Sequence, residues 1–218
     1  MANASWTHTT RLDAPAAPGA GASVAVGLAA WFALILLLGA GEVFVTPDGI
    51  PPLALLVAAT VPVILFLTGY WVSPRFRAFV LATDPRFTTG IQAWRIGGFA
   101  FLVLYTYGIL PGYFAWPAGL GDMAIGATAP WLLATLIRKP GFAASKTFVV
   151  WNVLGLVDLI AAVSMGAFGA RLVTDASAGL SAAAQMTHLP LVLVPAFFVP
   201  AYVMLHLTAL FQARHVAG

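Results

Sequence analysis

Six stretches of the chain are apolar over about the thickness of a bilayer core, and short connections rich in breakers separate them. They cover residues 24–45, 52–72, 93–110, 117–137, 147–168 and 189–210. An α-helix rises ~1.5 Å per residue, so about 20 residues cross a ~30 Å hydrocarbon layer. The connections include Thr46-Pro47-Asp48-Gly49, Asp84-Pro85, Pro111-Gly112 and Lys139-Pro140-Gly141, all of which stop helices. The pattern predicts an all-α integral membrane protein built as a bundle of six transmembrane helices. Residues 1–23, rich in Ala, Thr, Pro and Gly and without periodicity, are expected to be a flexible N-terminal tail. Residues 24–212 are expected to form a single transmembrane domain, and 213–218 a C-terminal tail.

Composition narrows the picture. Of 218 residues, 61% are hydrophobic and 8% charged, whereas a soluble domain has about a quarter charged residues. There is too little polar surface to cover a water-soluble globule, so the expected partner is the lipid bilayer. The net charge of +3 rests on ten Lys and Arg, too few for a surface that tracks phosphates, which excludes nucleic acid. The absence of cysteine excludes disulfides, thiolate catalysis, iron–sulfur clusters and covalently attached haem. Gly39-Ala40-Gly41 resembles a signal cleavage site, but the first apolar run starts late and is too long for a signal core, so it is read as a retained span.

The cations set the orientation. Arg75, Arg77 and Arg86 lie between the second and third spans, Arg138, Lys139 and Lys146 between the fourth and fifth, and Arg11 and Arg214 on the tails. All fall on one side, opposed by Arg171 alone. Cation-rich loops face the cytoplasm, so both termini are expected there, in a bacterial inner (plasma) membrane. Trp71, Tyr113, Trp116 and Trp131 sit near span ends, where an aromatic belt belongs. Gly108-x-x-x-Gly112, Gly97-Gly98 and the Gly119, Gly121, Gly126 group permit close helix contact, and such Gly-rich faces would also serve a homodimer.

Polar residues inside the spans carry the candidate chemistry, because a charge at mid-bilayer costs roughly 2.5–3.5 kcal/mol. Asp158 lies near the middle of the fifth span, about 16 Å deep. Trp151, Gly155, Asp158 and Ala162 share its inward face; the structural alternative is a hydrogen-bonded helix–helix clip. Arg95 and Asn152 lie about one turn from the cytoplasmic side, with His206 at similar depth, and Arg95 is long enough to snorkel to the interface. Asp158 is about 120° around the helix from Asn152, so the two face different neighbours. Glu42, Asp122, Gln185 and His188 belong to the opposite leaflet. His188 and His206 are about 27 Å apart on one helix face and cannot share a metal. Pro190, Pro195 and Pro200 should kink the last span and free backbone carbonyls toward the interior.

Gly119-Leu120-Gly121-Asp122 resembles the G-x-G-D pattern of intramembrane aspartyl proteases such as presenilin and the prepilin peptidases. The resemblance covers four residues. It implies two carboxylates sharing a proton, with Asp158 as the second. In presenilin-like enzymes the G-x-G-D aspartate comes later, after a Tyr-Asp pair; here it comes first, and Val157 precedes Asp158. Asp122 is also expected nearer the outer surface than Asp158.

Two readings stand ahead of proteolysis. One is a non-covalent b-type haem with a redox or sensing role, held by His206 as axial metal ligand. Arg95 would meet a propionate, Asn152 lies in the same leaflet, Tyr202 is a hydrogen-bonding neighbour one turn away, and His188 is the alternative ligand. The other is a small secondary transporter or channel with an intramembrane Asp/Arg polar site, Asp158 being the protonatable group and Arg95 its counter-charge.

Overall fold

The computed structural model describes residues 20–47, 50–168 and 181–217. Arg11, Arg171, residues 1–19 of the expected tail and residues 174–180 of the last connection lie outside the described residues. Every element among the described residues is helical: α1 (Ala20–Ala40), α2 (Leu53–Val72), α3 (Pro74–Ala82), α4 (Pro85–Ile91), a 3-10 segment (Gln92–Gly98), α5 (Phe99–Thr106), α6 (Gly112–Arg138), a 3-10 turn (Pro140–Ala144), α7 (Lys146–Phe168), α8 (Ala182–Gln185), a π-helical turn (Val194–Phe198) and α9 (Val199–Ala217). Five helices are long and apolar enough to cross a membrane: α1, α2, α6, α7, and the π turn with α9. The chain is an all-helical membrane protein.

Three expected segments are built differently. The third, 93–110, is no single α-helix but the 3-10 segment, α5 and a turn in which Gly108 takes φ 67°. Gly108-x-x-x-Gly112 therefore brackets a turn and presents no helix face. The fourth span starts at Gly112, not at Pro117; a proline near a helix start costs few hydrogen bonds, and α6 runs through both Pro117 and Pro130. The sixth starts at Val194, because residues 186–192 form turns around Pro190. The π turn contains Pro195 and runs directly into α9 before Pro200, and its wider ring relieves the clash of Pro200 with the carbonyl one α-turn before it.

Helix α6 is the centre of the bundle, packed by α4, the 3-10 segment, α5 and α7, while α9 packs on α7, α2 and α4. Helix α1 is peripheral: Trp31 meets Phe197 with tilted rings and Phe32 meets it edge to face, and most of its other side chains are exposed. The core has two apolar clusters. One gathers Phe101, Leu110, Phe114, Ala118, Met186 and Ala196. The other gathers Ile125, Ala129, Leu132, Phe148, Trp151 and Ala209. On α6 the first ends at Ala118 and the second begins at Ile125, and Asp122 falls in the gap. Asp158 on α7 and His206 on α9 fall between the same two clusters. A polar waist separates two apolar halves.

Candidate functional site

A 3-10 helix has ~3.0 residues per turn, so residues three apart eclipse one another. Thr89, Gln92, Arg95, Gly98 and Phe101 are all buried at that interval, whereas Trp94, Ile96, Gly97 and Phe99 between them are exposed. The arginine therefore points into the bundle, 2% exposed. It does not snorkel.

The guanidinium is shared among three helices. Nε donates to Asp122 Oδ1 of α6 at 2.7 Å. Nη2 donates to Asp158 Oδ2 of α7. Nη1 faces His206 Nε2 of α9 at 3.0 Å and Gly155 O at 3.4 Å. Arginine has donors only, so His206 Nε2 accepts and the ring proton sits on Nδ1. That proton is donated to Asn152 Oδ1 at 2.9 Å, and Asn152 Nδ2 donates to Phe148 O at 2.9 Å. The chain of donors fixes a neutral His206, fully buried. Trp151 meets the imidazole edge to face at 5.6 Å and donates Nε1–H to Thr128 Oγ1 at 2.9 Å. The Tyr202 ring lies 5.9 Å from Arg95 Cζ, and Gln92 Nε2 donates to Tyr202 O at 3.4 Å.

Glycines make room for this convergence. A Cβ on Gly155 would strike the His206 imidazole and come within 3.2 Å of Arg95 Nη1. One on Gly121 would strike the Asp158 carboxylate, one on Gly98 would strike Asp122, and one on Gly126 would strike the backbone of Arg95 and Ile96. These glycines serve contacts within the chain. Gly97, by contrast, faces open space.

The two carboxylates are not sealed. Their side chains keep 19% and 17% exposure, against 0% for Arg95. A cavity of about 50 Å³, enough for a few waters, is lined by Leu55, Phe101, Phe114, Ala162 and Met186 among others. Among the described residues, Asp122 is the one charged residue on its wall.

The structure thus gathers Arg95, Asp122, Asp158, Asn152, His206 and Tyr202. Asp122 reaches the same guanidinium as Asp158 because α6 starts early: ten residues of helix precede it, about 15 Å. Asn152 and Asp158 reach different partners, His206 and Arg95. His188 is exposed, beside a separate groove formed with Ile96, Ala100 and Ile109. Glu42 is exposed in the turn after α1, at φ 56°. Trp151 and Gly155 join the site from the inward stripe they share with Asp158, and Gln92 and Thr128 join it without having stood out as candidates. The three-residue spacing from Thr89 to Phe101 was the available signal for Gln92. Axial ligation of haem by His206 would require Nε2 to leave Arg95, and a proton shared between the two aspartates would require the guanidinium to leave the place between them. Among the described residues, no three His, Asp or Glu side chains gather as a metal site.

Fold and site together define an all-helical membrane protein with a buried Arg–Asp–Asp–His centre. The chain belongs to the family described as a domain of unknown function, DUF8737, which it matches over residues 52–214, from the start of α2 nearly to the end of α9. No curated protein and no solved structure matches it.

Proposed function

We propose that this protein is a small secondary transporter or channel whose working site is the Arg95–Asp122–Asp158–His206 centre. One observation carries the reading: one guanidinium holds two carboxylates while the adjacent imidazole is neutral. With both aspartates ionised the centre has a formal charge of −1, which is costly in a low-dielectric interior. One proton or one monovalent cation restores neutrality. Asp122 also stands on the wall of a cavity and Asp158 keeps partial exposure, so an exchangeable charge can reach the carboxylates. Haem ligation by His206 and an aspartyl dyad have less support, since each asks Arg95 to abandon a contact it makes.

Six crossings are part of this reading. Residues 85–106 are helical without interruption, and α4, the 3-10 segment and α5 together rise about 36 Å, enough for a bilayer core. With six crossings, the cations of α3, α4, the α6–α7 connection and the C-terminus share the cytoplasmic side of a bacterial inner membrane.

The test is proton uptake into proteoliposomes under a potassium diffusion potential, followed with a trapped pH dye and repeated with a sodium-sensitive dye. Uptake of one of the two ions faster than in protein-free vesicles is expected, and Asp158→Asn and Asp122→Asn should abolish it. No uptake of either ion by folded wild-type protein would overturn the proposal.

A further inference from the structure

The seam where α4 packs on α9 is polar well inside the protein. Thr88 and Thr89 of α4, Gln92 at the start of the 3-10 segment, and Thr208 and Gln212 of α9 are each more than nine-tenths buried where α4 packs on α9 and α6. Thr88 and Thr208 satisfy themselves on backbone carbonyls of their own helices. Gln212 turns its Nε2 onto the carbonyls of Val80 and Thr83 at the end of α3. Three oxygens of the seam have no hydrogen-bond partner among the described residues: Thr89 Oγ1, Gln92 Oε1 and Gln212 Oε1. Buried polar atoms are almost always paired, with protein or with ordered water. Three orphans along one helix–helix seam are a pattern, not an accident of one side chain.

The register shows where the seam leads. Thr89 and Gln92 precede Arg95 on the same face of the helix, at intervals of three, and Gln92 is already bonded to Tyr202 O beside the guanidinium. In the other direction the N-cap of α4 is Asp84, which is exposed and accepts from Arg86 N–H at 2.8 Å. We infer that a file of bound water molecules occupies the α4–α9 seam, hydrogen-bonded to Thr89, Gln92 and Gln212, and joins the basic face of the protein to the Arg95–His206 side of the centre. The apolar cavity meets the same centre from the Asp122 side. The centre then has water on one side and an apolar cavity on the other, and an exchanging proton enters or leaves through the seam. As a proton route this rests on the transport reading; as a hydrated seam it does not.

Thiol chemistry reads hydration directly, because only the thiolate reacts and it forms in contact with water. The natural chain has no cysteine, so single substitutions report without background. Thr89→Cys and Gln92→Cys, each in the full chain in lipid nanodiscs, are treated with methyl methanethiosulfonate, and modification is followed by intact mass. The dry control is Ala129→Cys, at a fully buried position in the apolar cluster of α6. Both seam thiols should react about tenfold or more faster than the control, as thiolate availability dictates. Rates equal to the control would overturn the water file. Thr89→Val gives an independent reading, since it removes an orphan hydroxyl without changing shape. It should lower the melting temperature if that hydroxyl is bonded to water, and a rise would show that the seam is dry. Neither readout depends on transport, so a hydrated seam in a protein that moves no ion would reject the function and leave the seam standing.

Discussion

A guanidinium carries five N–H donors in one plane, and Arg95 directs them to two carboxylates, an imidazole and a carbonyl on two other helices and α9. Removing one member of a buried ion pair leaves the others uncompensated, at about 3–5 kcal/mol. Arg95→Leu should therefore destabilise the protein by that order in a detergent melt. Arg95→Lys keeps the charge without the planar fork and should lose less; equal losses would mean that the charge does not matter. The glycines give a sharper comparison. Gly155→Ala places a methyl group against His206 and Arg95, whereas Gly97→Ala meets nothing and removes a glycine from a helix interior, a gain of up to about 1 kcal/mol. The melting temperature should fall clearly for the first and hold or rise for the second. At this scale the sequence was informative about which residues matter, because a charge inside an apolar span stands out. It was silent about their meeting. Arg95 at one turn of depth is compatible with snorkelling, and only the 3-10 register turns it inward.

Among the elements, the 3-10 segment Gln92–Gly98 decides the site. An α-helix advances ~100° per residue and would spread Gln92, Arg95 and Gly98 around its surface; three residues per turn hold them in one row. Apolar runs of bilayer length marked α1, α2, α6 and α7 in the sequence, since hydropathy needs no register. Helix starts were harder to read wherever proline intervened. Pro117 looks like a boundary and lies inside α6, while Pro190 lies within an apolar run and is followed by turns. The orientation rests on the cation distribution, and reporter fusions test it. Fusions at Phe142 and at the C-terminus should be active with a cytoplasmic reporter and silent with a periplasmic one. A periplasmic signal at either site would reverse the orientation, and opposite signals at the two would mean an odd number of crossings after α6.

For the molecule as a whole, the two apolar clusters could pack without the waist between them. A buried ionic group can often be replaced by apolar residues of similar size without loss of stability. The triple change Arg95→Met, Asp122→Leu, Asp158→Leu should thus be more stable than Arg95→Leu alone, by a few kcal/mol of relieved unpaired charge. A triple variant as unstable as the single one would mean that the centre is a structural clip. The proposed exchange of one positive charge at the carboxylates is tested most directly by infrared difference spectroscopy of the protein in nanodiscs across a pH step. The C=O stretch of a protonated carboxyl should appear or vanish with the step, and both Asp122→Asn and Asp158→Asn should remove that band. A spectrum without any carboxyl change at either pH or on addition of sodium, or a band that survives both substitutions, would contradict an exchangeable charge at this centre.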